Sequence, residues 1–217
     1  PIPDLSKAAV SKSQGILIEK GPRIMKPADR NALEFALQLA EKEKGEVAVL
    51  TLAPPEQEGI LKEALGLGAE RAMILSDPAF QGGDATSVAA ALERAVLKIK
   101  PDLVLCGEGQ VGPRVAEIMK IGSVHSVAGV EADGGKAVIV NAGGSSQSSR
   151  SRESLPVLIS VLPGSNTPRI ANALKIMKAS KKEITRRLPA EIGVSLEEIG
   201  VAGAGLRIAR TFFPEGS

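Results

Sequence analysis

Apolar residues along the central part of the chain follow two alternating periods. Between Pro27 and Lys44 they recur at the i, i+3, i+4, i+7 spacing of a helix, until Gly45 ends the pattern. The clearest helical pattern runs from Thr86 to Lys100, with charged residues off the apolar stripe. Further helices are predicted at Gln57–Leu65 and from Val111 onward. Short apolar runs between the helices predict strands at Gly15–Glu19, Glu46–Leu52, Arg71–Leu75, Asp102–Cys106 and Ser123–Val130.

This alternation predicts the fold class. Helices that alternate with short apolar strands are typical of an α/β protein, with a mainly parallel sheet and helices on both faces. Later strands are predicted at Lys136–Val140 and Leu155–Leu162, separated by a mobile loop at Gly143–Arg152. The basic stretch Lys175–Arg187 and the glycine-rich Gly200–Gly205 indicate an arm instead of a core. We therefore divide the chain into an α/β domain, 1–165, and a C-terminal segment, 166–217.

Composition removes several functional classes. The chain has 217 residues, 43% of them hydrophobic, which is enough for an ample core. A net charge of +2 and an aromatic content of 2% argue against nucleic-acid binding. One cysteine, Cys106, and one histidine, His125, leave no material for a disulfide or a Cys/His metal site. No apolar run approaches the roughly 20 residues of a membrane span. Redox chemistry would need a bound organic cofactor.

The stretch Gly107–Gly112 follows an apolar strand and opens a helical pattern. Its glycines and the helix start are typical of a turn that binds phosphate, although a tight turn without a ligand has the same pattern. The letters match the G-x-G-x-x-G dinucleotide fingerprint, with Glu131 roughly 20 positions later. Two or three strand-helix units precede it, however, and Glu131 lies beside the ordinary turn Asp133–Gly135. We therefore do not favour a classical NAD site.

Several stretches match one known family. Lys26–Glu34 resembles N-P-x-D-x-x-A-L-E, Ser76–Phe80 matches S-D-P-A-F, and Gln110–Pro113 matches Q-V-G-P. Further matches are Leu65–Ala72, Asp102–Gly107, Asn166–Arg169, Ile176–Ala179 and the ending Val201–Pro214. In this order and spacing they resemble the beta subunit of electron transfer flavoproteins over almost the whole chain.

The resemblance implies a function. Such a subunit has an adenine nucleotide alpha-hydrolase-like fold and pairs with an alpha subunit that holds most of the redox FAD. The heterodimer takes electrons from flavin dehydrogenases, such as acyl-CoA dehydrogenases, to a downstream acceptor. The beta subunit binds AMP and performs no substrate chemistry, so it is an electron carrier and not an enzyme. In electron-bifurcating members a second FAD takes the place of AMP and oxidises NADH.

The chain departs from the family in three ways. The family has a longer insert in the glycine turn that helps to cradle phosphate. The family's first strand, which precedes the segment Ile2–Asp4 and lies centrally in the sheet, is absent, so the chain is expected to fold poorly. Lys26 replaces an Asn, and Leu52 replaces a small residue near the nucleotide. These departures suggest a truncated form of a longer gene product, which an intact mass well above 22.4 kDa would support.

Site residues follow from the resemblance. The predicted nucleotide-binding residues are Leu52, Ala53, Asp84, Thr86, Cys106, Gly107, Gly109, Gln110, Val111 and Gly112. Asp84 and Thr86 also head a predicted helix, so helix capping is an alternative role for them. Cys106 is equally explained as a buried residue at a strand end, and His125 is assigned no role.

The partner-recognition residues are Leu174, Ile176, Met177, Lys178 and Lys181. Leu174 aligns with the family's exposed leucine that docks into a dehydrogenase, although a core position is an alternative. The cluster Lys178, Lys181 and Lys182 is either a solvated face or a surface that steers acidic partners. Residues 166–217 would then be the recognition segment and an arm that packs on the alpha subunit.

Other classes remain as alternatives. A nucleotide hydrolase or ATP-pyrophosphatase would carry an S-G-G-x-D-S loop, of which Gly143–Ser146 is a poor imitation. A stand-alone adenine-nucleotide-binding protein would be monomeric without flavin. The expected location is the cytoplasm of a bacterium or archaeon, or the mitochondrial matrix. The donating dehydrogenase is not determined by the sequence.

Overall fold

A computed structural model describes residues 24–143 and 149–206, and the backbone of 2–3, 9–11, 16–18 and 23. The helices are α1 Pro27–Glu43, α2 Glu58–Leu67, α3 Ala85–Ile99, α4 Val111–Met119, α5 Ala173–Ser180 and α6 Pro189–Ile192, with short 3-10 helices at Pro55–Gln57 and Pro78–Phe80. The strands are β1 Ile2–Pro3, β2 Ala9–Ser11, β3 Ile16–Ile18, β4 Arg23–Ile24, β5 Ala48–Leu52, β6 Arg71–Leu75, β7 Leu103–Gly107, β8 Gly122–Asp133, β9 Ala137–Ala142, β10 Ser149–Ser154, β11 Val157–Val161 and β12 Thr185–Arg187.

The helix boundaries have local causes. Pro27 begins α1, where its missing N–H costs nothing, and Lys44 ends it in the left-handed conformation at φ 57°. Asp84 caps α3, because its carboxylate accepts from the backbone amides of Thr86 and Ser87. Lys100 ends α3 in the same way as Lys44 ends α1. The boundaries predicted for these two helices agree with the structure to within one residue.

Two main sheets contain most of the strands, and the predicted α/β class is confirmed. The small sheet has the order β12-β6-β5 and is entirely parallel. The large sheet has the order β10-β9-β8-β11-β7. Its strands β7, β11 and β8 are parallel, whereas β8, β9 and β10 form an antiparallel meander. Two separate two-stranded ladders, β1-β4 and β2-β3, lie near the start of the chain.

One helix on each face joins the two main sheets. Leu37 of α1 packs in the core of the small sheet, and Phe35 of the same helix packs in the core of the large sheet. On the opposite face, Ala95 of α3 packs against the small sheet and Ala89 against the large one. The sheets therefore share one layer between α1 and α3. The hydrophobic cores of the two sheets share no strand. They are connected by α1 and α3, each of which buries apolar residues against both sheets.

The inner strands and the end strands of the sheets differ in burial. All five residues of β11 are buried between β7 and β8. By contrast, every residue of β5 and β7 is partly exposed, and each of these strands has one hydrogen-bonded neighbour among the described residues. Among the described residues the strands are thus divided into two sheets, with β5 and β7 as end strands.

The later part of the chain contains two strands that the sequence did not predict. The predicted loop Gly143–Arg152 contains the start of β10, which pairs antiparallel with β9; residues 144–148 lie outside the described residues. The C-terminal segment was expected to be an arm, yet β12 joins the small sheet. Ile192 and Ile199 are also buried in its core, at 3% and 1% exposure. Residues 207–217 of the expected arm lie outside the described part of the chain.

Candidate functional site

The glycine turn lies directly against the start of α1. The amide of Gly107 donates to Asp29 Oδ1 at 2.9 Å. A Cβ at Gly107 would lie 2.5 Å from the Asp29 nitrogen and 2.7 Å from the carbonyl carbon of Ala28. Backbone atoms cannot move aside cheaply, so this position requires glycine because α1 passes so close.

The helix after the turn presents free amides. Gln110 precedes α4, and no side chain caps its first turn. Gly112 lets α4 approach the sheet, because a Cβ there would lie 2.5 Å from Cys106 Sγ and 3.3 Å from Ser160 Oγ. Val111 is partly buried beside them. The start of α4 therefore combines unpaired N–H groups with the positive end of a helix dipole, which favours an anion.

Charged groups surround this helix start. The Lys26 amine lies 3.9 Å from the Cβ position of Gly109. Arg114 Nε, on α4, is buried without a hydrogen-bond partner among the described residues. Glu108 is the opposing charge, but its Oε1 accepts from Ser126 Oγ at 2.8 Å and its amide donates to the Val161 carbonyl. Lys26 therefore places a cation beside the turn, while Glu108 is held by β8 and β11.

A polar chain that sequence analysis missed lies under the turn. Cys106 Sγ is 3.5 Å from Ser160 Oγ, which is 3.3 Å from His125 Nδ1. His125 Nε2 is in turn 3.2 Å from Ser123 Oγ. Burial raises the pKa of the Cys106 thiol, so it is a packed thiol and not a reactive thiolate. A single His in an apolar strand gave no sequence signal for these contacts.

The predicted residues at the other strand ends are held by backbone contacts. Ala53 is 5% exposed, and its amide donates to the Leu75 carbonyl. Leu52 packs in the core of the small sheet. Asp84 Oδ1 accepts from Thr86 and Ser87, so the capping role is present. Their roles toward a nucleotide stay predictions.

Asp84 has a second set of contacts at the far end of the chain. Its Oδ2 accepts from the backbone amides of Gly205 and Leu206, at 3.0 and 3.1 Å. The amide of Ser87 does most to lower the pKa of Asp84, and the amides of Leu206, Thr86 and Gly205 lower it further. Asp84 therefore fixes the end of the described chain to the start of α3.

The predicted recognition residues lie on α5, except for Lys181, which directly follows its last residue. Leu174 is 65% exposed and Met177 is 56% exposed, so the alternative of a core leucine does not hold. Ile176 is also half exposed, and Lys178 and Lys181 are exposed beside it. Of the helix itself, Ala179 is the residue buried in the core.

The α5 helix is tied to α2 along its length. Gly66 of α2 allows the close approach, since a Cβ there would already touch Ile176 at 3.6 Å. Lys62 Nζ donates to the Ser180 carbonyl at 2.7 Å, and Lys182 Nζ donates to Ala69 at 3.0 Å. Lys182, one of the three residues of the predicted lysine cluster, thus helps to hold the end of the helix.

The segment before α5 rests on α1 through residues that sequence analysis did not single out. Arg169 contacts both Glu34 and Glu41 of α1, and Asn166 is paired with Asn31. A cavity of about 160 Å³ next to these contacts is lined in part by Leu37, Glu41, Arg169 and Lys175. It does not touch the glycine turn, and its volume is below that of typical nucleotide sites.

Comparisons with known proteins agree with the resemblance. The electron transfer flavoprotein domain family matches residues 14–191. The electron transfer flavoprotein subunit beta of Thermoanaerobacterium thermosaccharolyticum is 33% identical, over 98% of this chain and 85% of that protein. The caffeyl-CoA reductase-Etf complex subunit CarD of Acetobacterium woodii is also 33% identical, over 98% and 85%. Protein FixA of Sinorhizobium fredii is 32% identical, over 98% and 80%.

These matches cover both candidate regions, the glycine turn and α5. Among the described residues, no helix has the length and hydropathy needed to cross a bilayer. The chain belongs to the electron transfer flavoprotein family, and its similarity to the beta subunits extends over nearly its whole length.

Proposed function

We propose that this chain is the small subunit of a heterodimeric electron transfer flavoprotein. It pairs with an alpha subunit that holds the redox FAD, and the heterodimer takes electrons from flavin dehydrogenases to a downstream acceptor. The FAD supplies the electron chemistry, while this chain supplies docking and an adenine-nucleotide site. It performs no substrate chemistry of its own.

The outward apolar face of α5 carries the proposal. Leu174 and Met177 are exposed on a helix that Asn172 caps at its start and Lys62 of α2 holds at its end, which is the form of a preorganised docking surface. Exposed Lys175, Lys178 and Lys181 surround them. The surface fits a dehydrogenase with an apolar pocket bordered by carboxylates, because the lysines would steer the encounter and the leucine would anchor it.

Replacement of Leu174 by Ala tests the docking role. One leucine buried in a partner contributes about 1.5–3 kcal/mol, so the dehydrogenase concentration for half-maximal electron transfer should rise about tenfold or more. Flavin content should stay unchanged. Leu97→Ala is the matched control, since Leu97 is a 45% exposed leucine on α3. Equal transfer rates for the wild type and Leu174→Ala would refute the docking role.

The start of α4 supports a nucleotide phosphate in this chain. Its uncapped amides, Lys26 and the unpartnered Nε of Arg114 are donors suited to an anion. They would orient a phosphate, and they do not distinguish AMP from the phosphates of a second FAD. We propose AMP, which the family resemblance implies for a simple electron carrier, with a second FAD as the alternative.

Analysis of released cofactors tests this part. The chain is co-expressed with an alpha subunit, the complex is denatured, and the released nucleotides are quantified. One FAD with one AMP supports the simple carrier. Two FAD, with bleaching of flavin by NADH, would support the electron-bifurcating alternative. Lys26→Ala should lower the AMP content several-fold, whereas Lys42→Ala, at the other end of α1, should not.

A further inference from the structure

Polar residues on one side of α1 hold the segment that leads into α5. Asn31 Nδ2 donates to the carbonyl and the side-chain oxygen of Asn166, at 2.8 and 2.7 Å. Asn166 Nδ2 donates back to the Asn31 carbonyl, and the amide of Gly164 donates to Asn31 Oδ1. Asn31 is 3% exposed, so these bonds are made without competing water.

Arg169 lies between two carboxylates of α1. Its Nε and one terminal nitrogen donate to Glu34, at 2.9 and 3.2 Å, and its two terminal nitrogens donate to Glu41, at 2.5 and 3.2 Å. Its backbone amide also donates to Glu34. The guanidinium thus satisfies both carboxylates in fork geometry, which only arginine can do.

These contacts determine the charge states of the three groups. The hydrogen bonds that Arg169 donates to Glu41 and Glu34 raise its pKa. Burial alone would raise the pKa of Glu34, but the hydrogen bonds from Arg169 and Gln38 together lower it. Arg169 makes four side-chain hydrogen bonds to α1, which directs its guanidinium toward Glu34 and Glu41.

Arg169 lies just before α5, so its contacts with α1 hold the chain that leads into this helix. Asn172 follows three residues later and caps α5, with Oδ1 accepting from the Lys175 amide at 2.9 Å. The far end of α5 is held by α2, and Gly66 of α2 also lies close to Ala171 and Ile176, so the near end is held both by α2 and by the segment anchored by Arg169. Ile170, directly after it, is 94% exposed, and Leu174 follows one turn later.

We propose that Arg169, held by Glu34 and Glu41, is a positioning residue that fixes the direction in which α5 presents Leu174 to the electron-donating dehydrogenase. The inference rests on the proposed docking role of Leu174. Arg169 does not touch the partner and acts through the start of α5. Preorganisation of this kind improves affinity because the helix is not ordered at the moment of binding.

A double-mutant cycle in the complete heterodimer tests the proposal. Arg169→Gln, Leu174→Ala and the double variant are reduced by a flavin dehydrogenase at a series of concentrations. Arg169→Gln should raise the half-saturating dehydrogenase concentration about fivefold, with the maximal rate within twofold of the wild type. In the Leu174→Ala background the same substitution should have no further effect, because the anchor it positions is gone.

Each outcome separates the two hypotheses. Independent, multiplicative effects of the two substitutions would overturn the positioning role, as would an unchanged half-saturating concentration for Arg169→Gln. If Leu174→Ala itself has no effect, the proposed docking function fails first. Arg169→Lys keeps the charge but cannot fork to both carboxylates, and we expect an intermediate increase.

A second variant keeps the test decisive if Arg169→Gln does not fold. Glu41 is exposed on α1, and Glu41→Gln removes one of the two charges that orient the guanidinium. We expect a two- to threefold increase in the half-saturating concentration and no change in flavin content. The exposed Glu43→Gln, on the same helix, is the control. A Glu41→Gln complex that behaves as the wild type would contradict the proposal.

Discussion

Two carboxylates, Glu34 and Asp84, each hold a segment more than 100 positions away, and they do so by different means. Glu34 is 5% exposed on α1 and holds residues 166–169 through a charged side chain, Arg169. Asp84 lies at the start of α3 and holds Gly205 and Leu206 through backbone amides alone. The first anchor depends on a second ionised side chain, and the second depends only on backbone geometry.

The difference indicates how each anchor fails. Loss of Glu34 leaves Arg169 with one carboxylate at the exposed end of its fork, so a charge loses its partner in a partly buried place. Loss of the outer oxygen of Asp84 leaves two exposed amides that water can satisfy. We therefore expect the Glu34 anchor to affect global stability and the Asp84 anchor to affect local order.

Glu34→Ala should have the largest effect on stability. It removes the acceptor for three bonds from Arg169 and one from Gln38. Because the Arg169 side chain is 25% exposed, we expect a loss of about 2–3 kcal/mol, below the cost of breaking a fully buried pair. Urea unfolding measures it. Glu41→Ala is the matched control and should cost less, since Glu41 is 64% exposed and screened. Equal losses for the two variants would contradict the comparison.

Asp84→Asn should separate the two functions of that carboxylate. Asparagine also caps helices well, so α3 and the melting temperature should be nearly unchanged. Its amide nitrogen cannot accept from Gly205 and Leu206, and trypsin should therefore cleave after Arg207 several-fold faster. Asp84→Ala should show the same cleavage and a lower melting temperature. Cleavage at the wild-type rate would show that Oδ2 does not hold this segment.

The pH dependence of stability should show the smallest effect. The folded pKa values of Asp84 and Glu34 are both lowered, so the unfolded chain binds protons first as the pH falls. Their contribution is complete above the ordinary carboxylate pKa values of about 4 and is lost below them. Urea midpoints measured from pH 6 down to pH 3 should fall less steeply for Asp84→Asn than for the wild type. Parallel curves would contradict the lowered pKa of Asp84.

The sequence predicted the helices and strands whose buried residues recur with a regular helical or strand period. The α1 and α3 helices were predicted to within a residue, since each has one apolar side toward the sheets and a residue suited to its start. β10 was missed because its residues are polar. Its backbone pairing with β9, and the ion pairs of Arg150 with Glu131 and of Arg152 with Asp133, are not periodic in the sequence.

The features of the candidate sites likewise fall into those that the sequence predicted and those that depend on contacts between distant residues. Exposure of Leu174 followed from the family resemblance and not from its spacing, which a core leucine would share. The glycine turn could be located from its sequence motif. The requirement for glycine at position 107 could not be predicted, because it comes from the nearness of Asp29, which depends on how α1 crosses β7. Arg169 ends the motif Asn166–Arg169, but the sequence predicts no role for it, because its partner Glu34 is 135 positions away.

The path of α1 has a consequence for which changes in chain length the protein tolerates. Asp29 contacts the glycine turn at one end of this helix, and Glu34 and Glu41 hold Arg169 further along. One residue inserted or deleted between them would rotate the later positions by about 100° and displace them by about 1.5 Å. The contact of Asp29 with the glycine turn and the contacts of Glu34 and Glu41 with Arg169 could then not form at the same time. Insertions and deletions among relatives should therefore fall outside the stretch from Asp29 to Glu41.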